Sequence, residues 1–289
     1  MTTERRPQLR FGVLTYPEHV TYHDIVEVWH EVDEARFDSA FVFDHFIPFT
    51  GSSNGPCLEG WTLLSALAAQ TQHVHAGVLV TGNTYRHPAL LAKMAVTVDH
   101  VSNGRLILGI GAGWFEAEHR MYGFPFPATG DRARHLREAV KIFKQLFTQE
   151  KSTFSGKYYQ LKDAPFAPKA VQKPYPPLLI GGTGPQVILP LAARHANIWH
   201  FYGGSEVESL RQTCTAFDTV CRKVGRDPDE VEKSTSLYPS QLAGSAKEVV
   251  ARLRAIADAG IGHLIIELSQ PYDRQFLRRF AKDVLPQFR

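Results

Sequence analysis

The sequence predicts an α/β fold, a closed (β/α)8 barrel of the TIM type with an insertion between its fourth helix and fifth strand. Three observations carry this. Short apolar runs alternate with helically spaced stretches eight times, the count such a barrel needs. The 289 residues hold a barrel of about 250 plus one insertion. Composition is ordinary for a globular chain, 44% hydrophobic and 21% charged, so a single domain over residues 1–289 accounts for the whole chain. An open doubly wound sheet is the alternative. Eight evenly spread units favour closure, because right-handed crossovers all turn the same way.

The elements follow in order. Arg10 to Leu14 is the first strand. Tyr22 to Ala35 is helical, with Ile25, Val28, Trp29 and Val32 on one stripe. Ala40 to Phe43 is the second strand, and Glu59 to Gln70 the next helix. Ala76 to Val80 is the third strand. Pro88 opens the third helix at a favoured first-turn position, and Ser102-Asn103-Gly104 ends it. Leu106 to Ile110 and Arg132 to Phe147 form the fourth unit. Leu178 to Ile180 with Gln186 to Arg194 form the fifth, and Asn197 to Phe201 with Glu206 to Val224 the sixth. Glu232 to Leu237 with Ala246 to Ala259 make the seventh, and His263 to Glu267 with Arg274 to Val284 the last.

Gln149 to Pro177 is too long for a plain connection. It contains a hairpin pattern, Thr153 to Tyr159, with Gly156 at the turn, and then five prolines. Such an insertion covers something, an active-site mouth or a partner.

Bulk properties narrow the function. Net charge is +3 without a basic run of five, which argues against nucleic acid as a partner. The three cysteines, Cys57, Cys214 and Cys221, give no disulfide framework, and Cys214 and Cys221 share one side of a helix. Apolar runs fall far short of a membrane span, and Met1 to Arg10 shows no leader pattern. A cytoplasmic enzyme acting on a small molecule fits these features.

All βα loops of a barrel open on one face, so each is asked what it offers. The second gives Asp44-His45-Phe46. His45 exchanges protons near neutral pH, and Asp44 or a backbone group could orient it. The fourth gives Gly111-Ala112-Gly113-Trp114. Gly109-x-Gly111-x-Gly113 is not a dinucleotide fingerprint, since Trp114 replaces the third glycine, but it suits close approach of a flat ring. The fifth, Gly181-Gly182-Thr183-Gly184, opens a helix and presents backbone amides to an anion such as phosphate. Tyr16, Phe46 and Trp114 form a candidate aromatic pocket, whereas Trp199, inside a strand, reads as core. His73-Val74-His75 precedes the third strand and falls at the opposite face, so no metal site is assigned. No P-loop and no serine-hydrolase elbow occurs.

These loops resemble a family. Asp44-His45-Phe46, Val80-Thr81-Gly82-Asn83, Arg86 to Lys93, Gly104 to Trp114 and Tyr122-Gly123-Phe124-Pro125 are similar to the bacterial luciferase-like superfamily, and more narrowly to its branch using the 5-deazaflavin coenzyme F420. The resemblance implies a dimeric barrel with its flavin at the carboxyl-terminal face. It implies a cis peptide at Leu79-Val80 or Val80-Thr81 behind the ring. It places Asp44 and His45 beside the deazaflavin as catalytic residues. It gives Val80, Thr81, Asn83, Gly111, Ala112 and Gly113 to the cofactor, and Gly181, Gly182 and Thr183 to its phosphate. The glucose-6-phosphate dehydrogenases of this branch carry an acidic residue where Trp114 stands, which speaks against a sugar-phosphate substrate here. The expected activity is hydride transfer between F420 and a small organic substrate. An FMN-dependent monooxygenase on the same scaffold and a non-catalytic flavin-binding protein are the alternatives. A flavin-free aldolase would want a lysine at a strand end, and none is placed there.

Overall fold

The computed structural model describes residues 9–289. Met1 to Gln8, most of the segment read as leader-free, lie outside the described residues. Eight parallel staves form the barrel: β1 (Arg10–Thr15), β2 (Ser39–Val42), β3 (His75–Val78) continued by β4 (Thr81–Gly82), β5 (Leu106–Gly111), then, after the insertion, β8 (Leu178–Gly181), β9 (Ile198–Phe201), β10 (Glu232–Leu237) and β11 (His263–Leu268). The ring closes where β3 pairs with β5, Ala76 opposite Leu106 and Gly77 opposite Ile107. The open-sheet alternative is thereby excluded.

Strand alternation explains two separate cores. Phe11, Val13, Ala40, Val42, Leu108, Ile110 and Leu264 point outward, to the helices. Leu14, Phe41, Leu79, Ile107, Leu179, Ile198 and Ile265 point inward and fill the barrel. The outer layer is α1 (Tyr22–Glu34), α2 (Gly60–Gln70), α3 (Pro88–Val101), α5 (Thr129–Thr148), α6 (Ile188–His195), α7 (Val207–Lys223), α8 (Ala246–Asp258) and α9 (Arg274–Arg279). Local chemistry sets their starts. Thr21 with Asp24, and Ser245 with Glu248, form reciprocal capping boxes on α1 and α8. Pro88 stands in the first turn of α3, as its lost N–H requires. On α7, Cys214 and Cys221 are both buried toward the barrel.

The third strand departs from its expected span. The run Ala76 to Val80 stops at Val78, a cis peptide joins Leu79 to Val80, and pairing resumes at Thr81. A short helix, α4 (Glu116–Tyr122), also appears where only a loop was expected. The insertion does contain a hairpin, β6 (Lys151–Ser155) and β7 (Gln160–Pro165). It does not roof the barrel mouth. Phe166 packs on Phe147 under Lys93, and Gln172 bonds Asp99 and the Leu106 carbonyl, so most of it lies along α3 and α5. Only Tyr159 reaches the rim, taking a hydrogen bond from Asn83 and meeting His87 edge-on.

Candidate active site

His45 and Asp44 leave β2 on opposite sides, as neighbours on a strand must. Asp44 turns outward and is buried. Arg86 holds it with two hydrogen bonds of 2.7 and 2.9 Å and reaches on to Glu59 at 2.5 Å, the capping residue of α2. Burial pushes the Asp44 carboxyl up to about 6, against the pull of the Arg86 guanidinium. This triad ties the β2 loop, the α2 start and the β4 loop together. Asp44 does not orient His45.

Glu118 on α4 does that instead. Its carboxylate lies 2.9 Å from His45 Nδ1, accepts the Tyr85 hydroxyl at 2.6 Å and the Ile47 amide at 3.3 Å, and also takes the Phe46 amide. Burial pushes the Glu118 carboxyl up, but its bonds to His45, Phe46 and Tyr85 outweigh that and hold it below the ordinary glutamate range. A carboxylate only accepts, so His45 Nδ1 carries the proton facing it. Among the described residues Nε2 has no hydrogen-bond partner, and it is the nitrogen available to a ligand. Rings enclose the imidazole: Phe43 and Phe49 at 5.2 Å, Trp114 at 5.5 Å and Phe115 at 5.6 Å, all edge-on.

The glycine loops meet around Val80. A side chain at Gly111 would strike the Val80 isopropyl group at 2.9 Å, and one at Gly181 at 3.2 Å. The bare positions at Gly111 and Gly181, the ends of β5 and β8, let Val80 lie across them as an apolar shelf. Beyond it, Gly182 takes a φ of +117° and donates its amide to the His200 carbonyl, so Gly182 and Thr183 stand exposed before α6. Gly113, with a φ of +83°, packs against Thr84.

The structure gathers His45, Tyr16, Val80, Gly111, Ala112, Gly113, Trp114, Gly181, Gly182 and Thr183 at the carboxyl-terminal rim. Three candidates turn elsewhere. The Thr81 hydroxyl accepts the Trp61 indole N–H at 2.8 Å, and Asn83 serves Tyr159. Phe46 packs into the rings of Tyr85, Tyr122 and Phe124. Trp199 is core, stacked on Phe217. His73 and His75 line a cavity at the amino-terminal end. Two residues of this cluster, Glu118 and Phe49, are not singled out by the sequence. Glu118 carried a weak signal, an acid in a short stretch rich in aromatic residues after the glycines. Phe49 carried none.

The fold and rim define a closed barrel that presents an apolar shelf and a fixed imidazole to a planar ligand. The luciferase-like monooxygenase family model matches residues 9–261, and the chain belongs to that family. The F420-dependent glucose-6-phosphate dehydrogenase of Amycolatopsis mediterranei is 26% identical, with 97% of this chain and 99% of the relative covered. The FMNH2-dependent dimethylsulfone monooxygenase of Pseudomonas putida is 30% identical over 69% of this chain and 54% of its own length. An F420-dependent secondary alcohol dehydrogenase, solved with an F420-acetone adduct, superposes with a TM-score of 0.85 at 22% identity, covering 98% and 99% of the two chains.

Proposed function

We propose that the chain is an F420-dependent oxidoreductase that transfers hydride between the deazaflavin and a small organic substrate. The observation that carries this is the pairing of the Val80–glycine shelf with His45. The shelf fits a planar ring, since it is apolar and free of side chains at Gly111 and Gly181. Full-length likeness to dehydrogenases that use F420 supports the choice of cofactor. When bound, the deazaflavin supplies the carbon that accepts or gives the hydride.

This chain's residues do the rest. Val80 and the backbone of Gly111, Ala112 and Gly113 hold the ring, and Gly181, Gly182 and Thr183 receive its phosphate. Glu118 keeps the proton on His45 Nδ1, so Nε2 takes up or releases the proton that accompanies hydride movement. Phe43, Phe49 and Trp114 exclude water around that nitrogen. Asp44 acts at one remove, anchoring the strand end through Arg86. Assembly as a homodimer belongs to the same reading. No described helix is long and apolar enough to cross a membrane.

Titration of the purified protein with F420 and with FMN tests the reading. Tight binding of F420 is expected. Binding of FMN alone would move the chain to the monooxygenase reading that the Pseudomonas putida relative favours. Binding of neither would reopen a flavin-free barrel chemistry.

A further inference from the structure

The barrel mouth has two unlike walls. Around the ring of strands, β4, β5 and β8 stand across from β10, β11 and β1. The first wall is the Val80 shelf. The second carries Tyr238, Glu267 and Tyr16, and His45, in the loop after β2, stands between the two.

Glu267 is 1% exposed. It accepts the Tyr16 hydroxyl on Oε2, while Oε1 has no hydrogen-bond partner among the described residues. Among the described residues no lysine, arginine or histidine pairs with it. The Tyr16 oxygen also lies 3.2 Å from the Tyr238 oxygen. A carboxylate only accepts, so Tyr16 commits its single proton to Glu267. Tyr238 must then donate to Tyr16. The oxygen of half-exposed Tyr238, at the carboxyl end of β10, is left with lone pairs alone. The chain of donors runs one way, from Tyr238 through Tyr16 to a buried carboxyl group with no cation beside it.

We infer that this wall is the substrate side, and that Tyr238, Tyr16 and Glu267 select a neutral or cationic hydrogen-bond donor, an alcohol or amine on an apolar skeleton, over a phosphate ester or carboxylate. An anion would add acceptors to a wall already ending in acceptors, whereas a hydroxyl or ammonium supplies the donor that completes the chain. The apolar part rests among Phe43, Phe49 and Trp114, which already touch Tyr16 or His45. The inference rests on the planar-cofactor reading only in assigning the opposite wall to the cofactor.

Three probes of one shape test it: cyclohexanol, cyclohexylamine and cyclohexanecarboxylate, their binding measured by saturation-transfer NMR with and without F420. The alcohol and amine should bind at least about tenfold more tightly than the carboxylate, roughly 1.4 kcal/mol. Glu267→Gln should close most of that gap and leave F420 affinity unchanged. Tyr238→Phe, at the exposed end where folding is not at stake, should weaken the alcohol selectively. Carboxylate binding equal to the alcohol, no binding by any probe, or a gap unchanged in both variants overturns the inference. Loss of F420 binding with the probe preference intact would instead sink the cofactor reading alone.

Discussion

The two ends of this barrel differ in how far their polar groups are answered from within the protein. An opening of about 950 Å³ lies at the amino-terminal end, lined by Arg10, Asp38, His75, Glu232 and Lys233. The charges of Arg10, Glu232, Lys233 and Asp38 are answered within the protein. Arg10 meets Glu232 at 3.1 Å, Lys233 meets Asp218 at 2.8 Å, and Arg289 meets Asp38 at 3.1 Å. Just inside, His263 bonds Ser39 at 2.8 Å. At the carboxyl-terminal end, polar groups stay open: among the described residues Nε2 of His45 has no hydrogen-bond partner, and Thr183 stands exposed beyond Gly182. Unanswered groups held by answered ones mark a place for chemistry better than empty space does.

Substitutions can break that contrast. His45→Ala carries the largest expected effect, a loss of about 100- to 10,000-fold in turnover with F420 affinity nearly intact. Steady-state kinetics beside a binding titration would show it, and full turnover would refute the assignment. Glu118→Gln should cost about 10- to 100-fold in turnover, because the imidazole loses its fixed tautomer. A shifted pH profile at unchanged F420 affinity is the signature, and a pure loss of folded protein is not. Gly181→Val should press on Val80 and weaken F420 binding about tenfold, since overpacking costs roughly 1–3 kcal/mol. At the other end, His75→Ala should leave turnover within about twofold, as groups remote from the chemistry do.

The buried histidines sharpen the comparison through pH. Burial holds His200 down to about 3 and His263 well below 6.5. Below 6.5 the unfolded chain takes up protons that the fold refuses. Stability is therefore full above 6.5 and falls as pH drops toward 3, by up to about 1.4 kcal/mol per pH unit for each group. Urea unfolding at several pH values should show that slope, flatter in His200→Gln.

Most of the frame was legible. The barrel strands ended within a residue or two of their expected limits, because alternation and Gly or Pro punctuation are local signals. The cis link after Leu79 leaves no trace in hydrophobic pattern, and only family resemblance pointed at it. Helix α4 is too short to show a helical period. Pairing His45 with its neighbour Asp44 ignored the two-residue alternation of a strand, which sends them to opposite faces. The true partner lies 73 positions away in the sequence, and no local rule reaches that far.

A single carboxylate, Glu118, gathers an imidazole, two amides and a phenol from the loops after β2 and β4. Those loops and α4 are consequently one rigid body, and they cannot part without stranding a buried charge. The far rim is built otherwise, with the aromatic side chains of Tyr202 and Tyr238 open to solvent.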